Sequence, residues 1–470
     1  MSAQPPSKRS RTALVLYPES QIYVVESLRT AFAKQLPDWQ LLTDRSQLDR
    51  DQKPDLQWCD YDELDWDWAM DDSRQLNSYA IRKALIRKSN LAHTIALFLS
   101  KNPSSSLRRA APKTFHFNCS FADELDELLM DDLYEVDQSF AEAERGAAQK
   151  WWILKAALAD KGNGIRLFSS REMLEEIFEE FEPESEDDEE EEEEEEEESD
   201  DEKARAGANG RAAMFGADTR VDATQMREWV IQEYIASPLL LDPTPGSDAH
   251  PHKFHLRVYC VAVAGLRVFV HHPFLALFAP TPYSSPSPSP AGEFDLSSHL
   301  TNTCLQMAVL GEAAPQVSVG VLQDMGEKKI LSGKHKGEKL GEERIRAVEE
   351  GVRTTVAEVF NAAVGAGSSF QVLPNAFEIF GIDFLVDEDF QVSLLEINAC
   401  PDFGQTGAEL QSIIDHLFAC TLDAAVKPFF ASQADPGAGK VGELSTTFEQ
   451  LDVGSRGLKE VLDLQVSRAW

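Results

Sequence analysis

The segment FEIFGIDFLVDEDFQVSLLEINACPDF, Phe377 to Phe403, carries two apolar runs on either side of the turn Asp387-Glu388-Asp389, the pattern of a β-hairpin. Side chains two apart on a strand share a face, so Glu396 and Asn398 point the same way. Counting outward from the turn sets Asp383 roughly opposite Glu396. Two carboxylates and an amide oxygen converging from neighbouring strands form a hard, oxygen-only set. Such a set suits Mg2+, which keeps positions open for nucleotide phosphates. Asp383 and Glu396 interrupt runs of Ile, Phe, Leu and Val, and carboxylates among such neighbours need a cation or hydrogen-bond donors.

Three further blocks carry chemistry of a matching kind. In WWILKAALADKGNGIRLF, Trp151 to Phe168, a strand delivers Lys155 and a loop of Lys161, Gly162, Asn163 and Gly164 follows. A lysine at a strand end can hold a phosphate as a point charge, and glycines let loop amides approach phosphate oxygens. No GKS or GKT leads into a helix, so this is not a Walker loop. The strand WVIQEYI, Trp229 to Ile235, could pair its backbone with an adenine while apolar side chains cover the ring; taken alone it reads as an ordinary core strand. In KFHLRVYCVAVAGLRVFVHH, Lys253 to His272, the residues Lys253, His255, Arg257 and Tyr259 share one face of a hairpin that turns at Ala264-Gly265. Core strands seldom carry three cationic-type side chains on one face, so this face is expected to meet a ligand. Arg267 joins it only if the turn holds an odd number of residues.

These side chains need a scaffold, and the chain is long enough for two or three packed units: 470 residues, 43% of them hydrophobic. The formal charge is −37, from 44 Lys+Arg against 81 Asp+Glu. Eighteen acidic residues lie between Glu182 and Glu202, and setting them aside still leaves −19. Such a surface argues against general binding to nucleic acid or to anionic membranes, both of which draw on Lys and Arg. Six scattered cysteines without a CxxC pair read as reduced thiols of a cytosolic or nuclear protein. No apolar run is long enough to span a bilayer, and Met1 to Arg11 reads as a disordered polar tail without a signal peptide.

The expected elements begin with a strand at Ala13 to Tyr17, a helix over Ser20 to Leu36 and a longer helix over Leu76 to Leu99 with one basic face. Strands follow at Trp151 to Lys155, Ile165 to Phe168, Trp229 to Ile235, Phe254 to His271, Phe377 to Val386 and Val392 to Asn398, with a helix over Glu342 to Ala363. Without a regular βαβ repeat this indicates a mixed α+β or α/β architecture. The acidic, then Gly/Ala-rich stretch 182–222 and the Pro/Ser loop 280–292 read as disordered insertions.

In their order, these blocks resemble the tubulin-tyrosine ligase-like family, whose catalytic unit is an ATP-grasp fold. The matching stretches are IRKALIRK (Ile81 to Lys88), WILKAALADKGNGIRL, VIQEYIASPLLLD, KFHLRVY, HLTN (His299 to Asn302) and the Phe377 to Phe403 hairpin. The resemblance implies a disordered tail at 1–11, a smaller α/β domain at 12–80, an ATP-grasp domain at 81–430, and a linker and tail at 431–470. It implies ATP and Mg2+ as cofactors. Lys155 would contact the phosphates beneath a mobile loop of Lys161 to Gly164. Gln232, Glu233, Tyr234 and Ile235 would line the adenine, and Asp383, Glu396 and Asn398 would hold magnesium. Lys253, Arg257 and Arg267 would meet nucleotide phosphate and the substrate carboxylate, with Lys83 and Asn302 near the site.

The sequence departs from the family pattern at His255, where an aspartate is usual, at Ala156-Ala157, and at Glu233 in place of a common lysine. The implied reaction is ATP-dependent amide formation through an acyl phosphate. It would add an amino acid, tyrosine in the leading reading, to an acidic protein C-terminus such as that of α-tubulin. A side-chain glutamylase is one alternative. Another is an ATP-binding adaptor, since some fungal relatives are associated with cytoplasmic messenger-RNA processing bodies. Tails as acidic as the protein itself would have to be met by local basic patches, for which Arg82, Lys83, Arg87, Lys88 and the loop Lys334-His335-Lys336 are candidates.

Overall fold

The computed structural model describes residues 10–48, 52–157, 164–182, 221, 223–244, 249–287, 296–301, 319–403, 410–434 and 457–466. The acidic run, Lys161 to Asn163 and Asn302 lie outside the described residues, so the expectations placed on them are not carried further.

The amino-terminal strands β1 (Thr12–Leu14), β2 (Gln40–Leu42), β3 (Leu56–Gln57) and β4 (Gln75–Leu76) form a parallel sheet in the order β2-β1-β3-β4. Helix α1 (Ile22–Gln35) buries Val24, Val25, Leu28, Ala31 and Phe32, a stripe at helical spacing that packs on Trp58. The single helix expected over Leu76 to Leu99 is instead two. Helix α2 (Lys83–Ile86) and helix α3 (Lys88–Lys101) are separated at Arg87, whose extended backbone breaks the hydrogen-bond ladder. The cause is tertiary: Arg82, just before α2, is buried and paired with Glu378 at 2.8 Å, which fixes where the chain turns.

A small antiparallel sheet follows in the order β5 (Thr114–Asn118), β8 (Glu228–Glu233), β6 (Trp152–Ala156) and β7 (Arg166–Phe168). Around it pack the short helices α4 (Leu125–Met130), α5 (Tyr134–Glu144) and α6 (Arg171–Glu180), burying Leu125, Leu129, Val136, Phe140 and Phe178 against Trp152 and Trp229.

The large sheet is built on β10 (His252–Val263). One of its edges pairs along nine residues with β14 (Phe377–Val386), which pairs in turn with β15 (Val392–Ala399). The other edge pairs with β12 (Leu275–Phe278) in its first half and β11 (Arg267–His272) in its second. The short strands β9 (Leu240–Leu241) and β13 (Val319–Val321) complete the start, and β16 (Gly457–Asp463) pairs with β11. The stretch read as a linker and tail therefore contributes a sheet strand. One face of the sheet is covered by α7 (Gly341–Val364), which buries Val348, Val352, Val356, Val359 and Phe360. On the other, α8 (Gln411–Thr421) buries Ile413, Ile414, Leu417 and Phe418 with α1. Across β10 and β14, Arg257 pairs with Asp383 and Tyr259 with Gly381. The polar cluster thus sits in the middle of the best-paired part of the sheet.

Candidate nucleotide and metal site

The hairpin of β14 and β15 does not run in one register. Val386, Leu385 and Phe384 oppose Val392, Ser393 and Leu394, whereas Asp383 opposes Glu396, so Leu395 is an extra residue on β15. A bulge of this kind bends the strand and re-aims the side chains beyond it. Without it Asp383 would face Leu395, and Glu396 would point to the other side of the sheet. With it, Arg257, Asp383 and Glu396 lie side by side on three adjacent strands.

The Arg257 guanidinium donates to both Asp383 carboxylate oxygens, Nε to Oδ1 at 2.5 Å and Nη2 to Oδ2 at 3.1 Å. Burial disfavours its charge, but Asp383 outweighs this and keeps it protonated above its usual range. Gly381 makes room for that pair, because a Cβ there would lie 2.8 Å from Pro401 Cβ and 3.3 Å from Arg257 Cδ. Asn398 opposes Gly381, and its Nδ2 lies 3.2 Å from Glu396 Oε1 and 3.5 Å from Asp383 Oδ2. A half-turn of the amide exchanges Nδ2 for Oδ1 and presents a third oxygen at the same point. The donor set, two carboxylates and an amide, fits Mg2+.

Facing these oxygens is a group of cations. Lys155, on β6, donates from Nζ to Gln232 Oε1 at 2.8 Å. Lys253 donates to the Tyr234 hydroxyl at 3.0 Å and lies 4.4 Å from the centre of its ring. The same hydroxyl is 2.9 Å from His299 Nδ1. Burial pushes Lys253 down to about 7, helped by Lys155. Burial also lowers Lys155 to about 8; Glu396 and Asp383 oppose that shift and Lys88 adds to it. Lysines held below their ordinary range beside one another mark a place where an anion would restore their charge. His255 is buried, with Nδ1 2.6 Å from Thr301 Oγ1, and burial followed by Arg257 pushes it down to about 3, so the ring is neutral. Its Nε2 has no hydrogen-bond partner among the described residues and lies 3.8 Å from Asp383 Oδ1.

These groups line a cleft of about 630 Å3 between the small sheet and the large one, with Ile153, Ile165, Leu300 and Leu385 as apolar walls. Gly164, which closes the glycine loop, has φ +69°, and a Cβ on it would meet Val221 at 3.0 Å and Ala156 at 3.3 Å. A second chamber of about 820 Å3 shares Lys88, Lys155, Gln232, Glu396 and Asn398 with the first. Leu91, Ile95 and Leu99 of α3, together with Phe115, line it, as do Arg87, Arg108 and Lys113.

Of the residues singled out in the sequence, Lys155, Gln232, Glu233, Tyr234, Ile235, Lys253, Arg257, Asp383, Glu396 and Asn398 all line the first cleft. Arg267 does not. The hairpin turn holds three residues, Ala264 to Leu266, so Arg267 opposes Val263 and does fall on the odd-numbered face. It is nevertheless six residues, about 20 Å, along the strand from Arg257, and it pairs with Glu460 and Asp463 of β16. Lys83 is exposed and lines neither chamber, whereas Lys88 lines both. Arg82 is buried against Glu378, and Lys334 pairs with Asp389 at the surface, so neither forms an open basic patch. The sequence reading did not reach Gln21 or Asp402, which complete the cleft wall from α1's approach and from the end of the hairpin. Nothing in their local sequence marks them; only the packing of the amino-terminal unit brings Gln21 there.

Comparison with known proteins fits this geometry. The model of the tubulin-tyrosine ligase family matches residues 79–434, so the chain belongs to that family. A probable tubulin–tyrosine ligase of Saccharomyces cerevisiae, Pby1, is 36% identical over 432 residues; the match covers 90% of this chain and 53% of that protein. The chain thus spans about half the length of this relative. A probable tubulin–tyrosine ligase of Schizosaccharomyces pombe is also 36% identical, over 80% of this chain and 84% of its own. The crystal structure of the C-terminal domain of K. lactis Pby1 superposes with a TM-score of 0.61 at 30% identity, over 96% of this chain and 99% of that one. That domain is described as an ATP-grasp enzyme interacting with the mRNA decapping enzyme Dcp2. The fold is ATP-grasp, as the resemblance implied.

Proposed function

We propose that this protein is an ATP-dependent carboxylate–amine ligase that joins an amino acid, tyrosine first, to the C-terminal carboxylate of an acidic protein tail such as that of α-tubulin. One observation carries the reading: Lys155 and Lys253 face Asp383, Glu396 and Asn398 within one cleft, as phosphate and its metal require. Gln232 to Ile235, with Ile153 and Leu385, would hold the purine, and Lys155 and Lys253 the phosphate oxygens. Mg2+ held by Asp383, Glu396 and Asn398 would supply neutralisation of the phosphate charge. The γ-phosphoryl group passes to the acceptor carboxylate, giving an acyl phosphate and ADP. The amine then attacks the carbonyl, inorganic phosphate leaves, and the surplus proton goes to solvent. Arg257 has a different part from the clamp expected of it. Its forked donors are engaged with Asp383, so it orients and charges a metal ligand. Local positive charge for an acidic tail comes from Arg87, Lys88 and Arg108 in the second chamber. In this reading the catalytic unit runs over 81–430 with the amino-terminal sheet docked on it, and the protein is cytoplasmic.

A second reading rests on His255, whose neutral ring stands where the family has an aspartate. Together with the Dcp2 interaction described for the K. lactis relative, it would make the chain an ATP-binding adaptor of processing bodies. The test is ADP formation by the purified protein with Mg2+, candidate amino acids, and an acidic peptide carrying a free or an amidated C-terminus. Ligation confined to the free acid, and reduced by orders of magnitude in Glu396→Gln, is expected. Ligation to the amidated peptide would mean side-chain modification, the activity named for a probable polyglutamylase of Rattus norvegicus that is 24% identical. ATP binding without turnover on any peptide would favour the adaptor.

A further inference from the structure

At the far end of β11 from Arg267, two histidines and a cysteine come together away from the nucleotide cleft. His271, on β11, is fully buried, and its Nε2 lies 3.0 Å from His416 Nδ1. His416 and Cys420 are four apart on α8, so they stand on the same helix face. Cys420 Sγ is 3.8 Å from His416 Nδ1 and 3.5 Å from Nε2. One ligand atom from each of the three residues lies within 4.8 Å of the other two. In a tetrahedral zinc site with ordinary bond lengths, neighbouring nitrogens are about 3.3 Å apart and nitrogen and sulfur about 3.6 Å. The cluster is therefore within a few tenths of an ångström of that arrangement in the two spacings between its neighbours.

We infer that His271, His416 and Cys420 form a binding site for one zinc-class transition-metal ion, with the fourth position open to water. The donor types point the same way, because two imidazoles and a thiol select Zn2+ or Co2+ over Mg2+ or Ca2+. Leu458, on β16, pairs with His271 across the sheet. His416 is exposed and gives the ion its way in. Binding replaces the His271–His416 hydrogen bond with two metal–nitrogen bonds, the proton between the rings moving to the other nitrogen of its own ring, forms a metal–sulfur bond, and releases the thiol proton to solvent. It would fasten α8 to β11 at the place where β16 joins the sheet.

The full chain, stripped with a chelator and titrated with Co2+, tests this. One equivalent should produce a thiolate-to-cobalt charge-transfer band and tetrahedral ligand-field bands, and Zn2+ should abolish both. Cys420→Ser should lose the charge-transfer band, and His416→Gln should lose stoichiometric binding. Both variants should keep the melting temperature of the metal-free protein and its affinity for ATP. A missing thiolate band, or a band that survives in Cys420→Ser, would overturn the site and leave a histidine–histidine hydrogen bond.

Discussion

At the scale of single residues, the cleft is defined by cations whose charge burial has weakened. Lys253, pushed down to about 7, is largely neutral at pH 8 in the free protein. A phosphate oxygen beside it raises that pKa again, and Lys155, held at about 8, responds in the same way, so ATP binding at pH 8 should take up more than one proton, and at pH 6 almost none. Affinity for ATP should accordingly fall as pH rises from 7 to 9. In the ligand-free protein the same shift acts on stability. The unfolded chain, with lysine near ~10.4, binds the proton that the folded chain has released, so this group's contribution to stability rises with pH between 7 and 10. Calorimetric titration with ATP in two buffers of different ionisation enthalpy reads the uptake directly. Lys253→Met should remove the larger part of it and leave the share of Lys155, and an unchanged uptake would show that the proton belongs to another group. His255, held neutral by the same burial, cannot supply the negative charge of the aspartate it replaces.

At the scale of elements, the alternation of Phe377 to Asn398 discloses a hairpin, and counting from the turn puts Asp383 only roughly opposite Glu396, since an unbroken register would set it against Leu395. The bulge at Leu395 that brings Asp383 against Glu396 has no mark in the sequence, because an extra residue in an apolar run looks like any other. The period of two likewise puts Arg267 on the correct face but cannot say how far along the strand it lies. The basic run Arg82 to Lys88 reads as one helical face, yet a buried partner 296 positions away, Glu378, decides its shape. Gly381 is the position where these elements can be tested together. Alanine there must push Pro401 and the Arg257 stem aside, contacts at 2.8 and 3.3 Å, and overpacking of this kind costs about 1–3 kcal/mol. Gly381→Ala should therefore lower the urea midpoint by that equivalent and weaken Mg2+-dependent ATP binding through Arg257 and Asp383. Stability within about 0.5 kcal/mol of the wild type would show that the sheet yields at this point.

At the scale of the whole molecule, the amino-terminal unit is joined to the large sheet through polar groups withdrawn from water. Leu76 bridges to Ala376, Asn375 donates to the Ala69 carbonyl at 2.9 Å, and Gln75 donates to the Ala425 carbonyl at 3.1 Å. At the centre is the Arg82–Glu378 pair, in which Glu378 also accepts from the Tyr79 N–H at 3.1 Å and the Ser78 hydroxyl at 3.2 Å. The Arg82 guanidinium lies 3.8 Å from the centre of the Tyr61 ring. Burial raises Glu378 to about 7 even though Arg82 opposes the shift. Because the folded chain then holds a proton that the unfolded chain has lost, this carboxyl's contribution falls as pH rises from about 4.5 to 7. Removing Arg82 takes away the group that opposes the shift, so the carboxyl should stay protonated to still higher pH and the loss should grow with it. Breaking a buried pair on one side costs about 3–5 kcal/mol, whereas replacing both partners with apolar groups is often close to neutral. Arg82→Met should accordingly show most of that loss at pH 8 and less at pH 5 in urea denaturation. The double variant Arg82→Met with Glu378→Leu should regain most of the loss and show no difference between the two pH values. If the double variant is as unstable as the single one, the joint depends on the shape of the pair rather than on an uncompensated charge.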